Sequence, residues 1–209
     1  RRFVRAFGHM LNYNHEQAIA CFSKCTELDP SCAMAWWGIA YCVSSNYNWS
    51  PGFASGYDAI QQAVALQSGV TELEQDLIGA LAQRHSAAAR DAANPAELNM
   101  GNQPELNTAF AAAMAPLYEK YESNLDVAAI YVEALMNLNP WQLWQKDTAT
   151  GEITPVDDNT LRCVQVMEDA FETVEGAKAH PALCHLYCHA LELSPFPERA
   201  LPAADVLRT

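Results

Sequence analysis

Apolar residues along this chain recur mostly at intervals of three and four, the spacing of one face of an α-helix. No stretch keeps up the strict alternation of a half-buried strand. The first helical segment, Phe3 to Leu11, stops at Asn12-Tyr13-Asn14. A second begins behind Asn14, a residue type whose side chain accepts from free helix N–H groups, and Gln17 stands at the capping-box spacing. It runs through Ala18, Ile19, Phe22 and Leu28 to Asp29-Pro30, where a residue without an N–H ends it. A third starts near Ser31 and carries Trp36, Ile39, Ala40 and Val43. The same reading predicts further helices over 57–67, 71–88, 104–121, 125–138, 157–174, 181–193 and 197–207.

Three connections interrupt this series. Ser44 to Gly56 reads as a loop with three aromatics, Tyr47, Trp49 and Phe53. Residues 90–103, rich in Asn and Ala, read as a loop insert. Residues 139–156 form a second insert, in which Pro140, Trp141, Trp144 and the turn signal Thr150-Gly151 allow a small hairpin. Short turns elsewhere make consecutive helices antiparallel neighbours, about five pairs in all.

The pairs repeat, imperfectly. Ala18-x3-Phe22 followed by Leu28 and Pro30 closes one unit, and Trp36-x2-Ile39-Ala40-x2-Val43 opens the next. Small residues, Ala18 and Ala40, let two helix backbones approach, while a bulky residue early in the first helix of a pair fills the gap to its neighbour. Glu16-Gln17-Ala18-Ile19, Phe22, Glu27-Leu28-Asp29-Pro30 and Ala35-Trp36 resemble a tetratricopeptide repeat junction. The segments Cys32 to Ala40, Asn139 to Trp144 and Ser194 to Ala200 extend this to a resemblance to multi-repeat proteins of that family. Two positions depart from it, with Val43 where the repeat usually has Tyr and Ala40 where it usually has Gly. The resemblance implies an all-α, right-handed helical-repeat solenoid, a single array over 1–209 that belongs to a longer chain. It also implies a concave wall made by the first helix of each pair.

Taking Trp36, Ile39 and Ala40 as the packed stripe puts Met34, Trp37 and Tyr41 on that wall. The same registration adds Phe3, Phe7 and Met10 from the first helix, Val132 and Met136 from a middle one, and His185, His189 and Glu192 from the last. A wall of aromatics and Met suits a partner helix or an extended peptide. The implied function is a protein-interaction scaffold binding a protein or peptide, or a neighbouring part of its own chain. A carboxylate-gripping groove would need Lys, Arg and Asn there, and the basic residues of this wall are confined to Arg2 and Arg5 at its end.

Composition narrows the partners. Of 209 residues, 50% are apolar and 18% charged, too rich in core formers for a disordered chain. Twelve Lys+Arg against 25 Asp+Glu leave a net charge of −13, which disfavours nucleic acid. No apolar run reaches the ~20 residues of a membrane-spanning helix. Seven cysteines, mostly inside apolar helical patterns, behave as small hydrophobes and indicate a reducing, cytoplasmic-type compartment without structural disulfides.

One constellation offers chemistry. In His180-Pro181-Ala182-Leu183-Cys184-His185-Leu186-Tyr187-Cys188-His189, the imidazoles of His185 and His189 share a helix face at i, i+4, and Glu192 follows one turn on. Two His and a carboxylate form a known ligand set for Zn or Fe, and imidazole also suits Cu. The alternative function is therefore a metal-binding protein or a metalloenzyme, with Glu192 as ligand or base, and the competing reading makes the histidines half-buried, hydrogen-bonded groups. No cofactor is otherwise indicated. His9 and His15 read as surface or capping groups, and His85 as a cation at a helix end.

Overall fold

The computed structural model describes residues 1–44, 46–48, 54–91 and 104–208. Trp49, Phe53 and residues 92–103 of the expected loops lie outside them. Among the described residues the chain is mostly helical, with one short hairpin. Its helices are α1 (Arg2–Leu11), α2 (His15–Leu28), α3 (Ala33–Val43), α4 (Ala54–Leu66), α5 (Glu72–Ala82), α6 (Ala87–Arg90), α7 (Pro104–Lys120), α8 (Leu125–Met136), α9 (Asp158–Thr173), α10 (Pro181–Leu191) and α11 (Leu201–Val206). No helix of the described residues is long and apolar enough to cross a membrane.

Boundaries differ from the periodicity where side chains demand it. The segment expected as helix over 71–88 leaves the α conformation after Ala82. Arg84 and His85, neighbours in sequence, are both buried, and adjacent positions on a helix point about 100° apart. The break lets both turn inward. Residues 197–207 begin as a 3-10 turn, Pro197–Ala200, and become α only at Leu201. Pro202 then falls in the first helical turn, where its missing N–H has no partner to lose. Thr71 makes a full capping box with Glu74, whereas the side chain of Asn14 makes no cap hydrogen bond and its expected box with Gln17 is not formed.

The chain divides into two compact units, Arg1–Met114 and Ala115–Thr209. The division falls inside α7 beside Pro116, a residue that removes one rung of the helical ladder. In the first unit α1 packs on α2, α2 on α3, α3 on α4 and α4 on α5, and α1 and α5 each also touch α3. In the second, α8 packs on α9, α10 on both, and α11 on α10.

Phe22 of α2 is fully buried and receives the edge of Phe3 from α1 at 5.7 Å between ring centres. On α3 it meets Gly38, where a Cβ would lie 2.5 Å from the Phe22 ring. Gly38→Ala is therefore expected to destabilise the first unit by about 1–2 kcal/mol, overpacking outweighing the gain in helix propensity. A thermal melt no lower than that of the parent would refute this contact.

Tertiary packing overturns the registration of the expected wall. Trp37 is 1% exposed, and its indole Nε1 donates to the Leu77 carbonyl on α5 at 3.1 Å. Tyr41 is buried against it, with ring centres 5.2 Å apart. Val132 and Met136 are fully buried within α8, where every residue from Val127 to Met136 is buried. Met10 and Met34 are buried as well, so of the expected apolar wall residues only Phe3 and Phe7 are half-buried and the others belong to cores. The physical reason is that α3 and α8 are apolar nearly all round: eight of the eleven residues of α3 are buried. Periodicity then offers no unique stripe. On α3 the half-exposed tryptophan is Trp36, which donates to the Pro30 carbonyl at 3.0 Å.

The expected hairpin is present. Strands β1 (Trp144–Lys146) and β2 (Ile153–Pro155) pair antiparallel, Trp144 opposite Pro155. Asp147 accepts from the Ala149 and Thr150 amides, and Gly151 takes the left-handed conformation that closes the turn. The Trp144 indole donates to the Ala190 carbonyl at 2.6 Å, seating the hairpin on α10.

Candidate functional site

Helix α10 carries the chemistry of the second unit, on two faces. It starts at His180, whose Nδ1 accepts from the Leu183 amide and whose Nε2–H therefore points to Asp126 Oδ1 at 3.1 Å. This side chain caps one helix and ties it to the first turn of α8.

One face of α10 presents the expected histidines. The rings of His185 and His189 lie 4.8 Å apart, tilted by 54°. Burial, reinforced by neighbouring His189, holds the His185 imidazole down at about 4, so it is neutral at pH 7. His189 Nδ1 lies 2.9 Å from Glu192 Oε1, and its ring meets the Trp141 ring edge-on. Trp141 is 48% exposed and adopts a left-handed backbone, φ 62°, a strained conformation for a bulky side chain. The expected ligand set of His185, His189 and Glu192 is not assembled as three donors around one point. Glu192 is turned onto His189, and among the described residues no group of three or more His, Cys, Asp or Glu is placed to hold a metal ion.

The other face of α10 opens on a pocket of about 540 Å³ between α9, α10, α11 and the turn at Ala177–Ala179. Phe171, Cys184, Pro202, Ala203 and Val206 give it an apolar lining. On its lining the Tyr187 hydroxyl donates to Glu168 Oε1 at 2.6 Å, and the Arg199 guanidinium donates to the same oxygen. Burial, then the hydrogen bond to Glu168, pushes the Tyr187 phenol well up, so it stays a proton donor at neutral pH. Phe171 stands edge-on to Tyr187, holding that ring in place. Glu172, one helical turn beyond Glu168, and Lys178 also line the pocket.

Cys184 is buried, and burial raises its thiol pKa, so it lines the pocket as a protonated, weakly nucleophilic group. Its Sγ donates to the Lys178 carbonyl at 3.4 Å. The arrangement suits holding a ligand. Glu168, Tyr187 and Arg199 were not read as site residues from the sequence. The i, i+4 spacing of Glu168 and Glu172 was the only local signal. The bond between Glu168 and Arg199 spans 31 positions.

The first unit buries a polar group of its own. His15 Nδ1 lies 3.2 Å from the Cys42 carbonyl, Ser44 Oγ 3.1 Å from His85 Nε2, and Arg84 donates to Asn107 Oδ1 at 3.1 Å. His15 and His85 are therefore interior groups, where a surface, capping or helix-end role was expected. At Gly56 a Cβ would fall 2.2 Å from the His85 ring, so the glycine makes room for that imidazole.

Comparison with protein-family models, with curated proteins and with solved structures finds no match to this chain.

Proposed function

We propose that this chain is a tetratricopeptide-like helical-repeat binding module that captures a segment of a protein partner, with an apolar side chain anchored in the pocket between α9, α10 and α11. The observation that carries the reading is this pocket of about 540 Å³, apolar inside and charged at its rim. That size and lining are typical of binding sites. Two further features support it. From α1 to α5 and from α8 to α11, helices pack on their successors, and α1, α3 and α5 as well as α8 and α10 also meet as alternate neighbours, as stacked pairs do. Large apolar side chains also lie exposed, Phe196 at 48% with the guanidinium of pocket-lining Arg199 over its ring, and Leu201 at 61%. The binding surface thus moves from the helix face suggested by the sequence to the opposite side of α10 from its histidines.

Panning a displayed random-peptide library against the 209-residue chain tests this. Enriched peptides should share a large apolar residue and lose about tenfold or more in affinity for Ala203→Phe, which fills the pocket. Val206→Asp, at a partly exposed position on its wall, should weaken them as well without threatening the fold. Peptides that bind both variants as well as the parent would place capture elsewhere and overturn the reading.

A further inference from the structure

Four side chains meet around the face of α10 that carries the histidines, and capture of a partner in the pocket uses none of them. His185 and His189 stand one helical turn apart, with ring centres 4.8 Å from each other and planes tilted by 54°. Glu192 Oε1 lies 2.9 Å from His189 Nδ1, and the Trp141 ring meets the same imidazole edge-on at 5.8 Å between centres.

The separation of the two imidazoles is that of ligands sharing one ion. A ring bound through nitrogen has its centre about 3.2 Å from the metal, of which the metal–nitrogen bond is about 2.0–2.1 Å. Two such rings on adjacent coordination positions, about 90–110° apart, then have centres about 4.5–5.2 Å from each other. The 4.8 Å between His185 and His189 falls inside that interval. Glu192 supplies a second, independent feature. The tautomer of His189 that donates Nδ1–H to this carboxylate carries its lone pair on Nε2. Metal-binding histidines are commonly held this way, by an acceptor on the ring nitrogen away from the metal. Trp141 abuts His189 from a left-handed backbone conformation, φ 62°, and strain of this kind gathers at ligand sites.

We propose that His185 and His189 form a two-imidazole site for a divalent transition-metal ion that favours nitrogen ligands, such as zinc or nickel. Glu192 is its positioning residue rather than a third ligand, and water completes the coordination. The site is separate from the pocket, so it stands independently of partner capture.

Nickel(II) alone, titrated into the 209-residue chain, tests this. Calorimetry reads the stoichiometry and tryptophan fluorescence reads the place, because a paramagnetic ion beside His189 quenches the Trp141 indole. One equivalent should bind, and the quenching should disappear in Trp141→Phe although four other tryptophans remain. His189→Ala, at a partly exposed position, leaves one imidazole and should remove the binding. Glu192→Gln still accepts from Nδ1 but lacks the charge. It should keep the one-to-one stoichiometry and the quenching at saturation while weakening nickel about 10–100-fold. No binding by the parent chain overturns the site, as does binding that survives His189→Ala, which would pass the ion to the cysteines. Unchanged affinity in Glu192→Gln overturns the positioning role of that carboxylate.

Discussion

Trp37→Ala is expected to destabilise the first unit by about 3–5 kcal/mol, the range for deleting a fully buried large aromatic. Trp37 is the largest fully buried side chain of the chain's described residues. Its removal opens a cavity between α3 and α5, leaves the Leu77 carbonyl without its indole donor, and exposes the ring of Tyr41 on its stacked side. With stabilities of whole domains at only about 5–15 kcal/mol, such a loss brings the unit close to unfolding at ambient temperature. Denaturant titration followed by circular dichroism, with hydrogen exchange at α3 and α5, measures it. Trp36→Ala, at the half-exposed neighbour, should cost far less. If Trp37→Ala instead unfolds at the midpoint of the parent and only ligand capture suffers, Trp37 belongs to a binding wall and its assignment to the core is wrong.

The second large effect is a loss of stability in the second unit as pH falls. In the unfolded chain the His185 imidazole titrates near its ordinary 6.5, whereas in the fold it is held at about 4. Between these values the unfolded state binds a proton that the folded state refuses. The stabilisation is therefore fully present above pH 6.5, declines through the window, and is gone below about pH 4. The full difference corresponds to about 3 kcal/mol, and partial solvent access at this half-buried site reduces it to about 2 kcal/mol. The charged and titrating groups bearing on His185 are His189, whose charge opposes protonation, and Glu192, whose charge favours it. Carboxylates such as Asp157, held low by bonds from Asn159, Thr160 and Asn139, also lose stabilisation as pH falls, but below about pH 4. Comparing chemical denaturation of the parent with His185→Leu at pH 7, 5.5 and 4.5 isolates the imidazole. The variant should show the shallower dependence, and parallel curves would refute a half-buried imidazole kept neutral.

Much of the architecture could be read from local pattern. Helix positions follow from the three-and-four spacing, the α2 stop from Asp29-Pro30, and the hairpin from Thr150-Gly151 between short β-compatible runs. Each depends on interactions within a few residues, so each is visible in one dimension. The small residues Ala18 and Ala40 are fully buried, as the close-approach reading expects. What failed was the choice of face. On α3 and α8 nearly every position is apolar, and a stripe can be drawn through either side. Only the neighbouring helices decide that Trp37 and Tyr41 face α5 and the interior.

The histidine pair shows the same limit from the polar side. The i, i+4 spacing brings His185 and His189 together, because helix geometry alone does that. Whether Glu192 completes a ligand set depends on its rotamer, and the carboxylate bonds to His189. Glu168, Tyr187 and Arg199 have no shared local signature. They meet because α9, α10 and the Pro197–Ala200 turn pack together.

By itself, then, the sequence determined the helical class, most element boundaries, the hairpin and the pairing of neighbouring histidines, all set by backbone hydrogen bonding and short-range side-chain spacing. The tertiary structure alone decided which apolar faces became core, that His15 and His85 are interior groups, and that the pocket lies on the far side of α10. Those outcomes depend on competition among faces of similar hydrophobicity, and burial energy is settled only when distant segments meet.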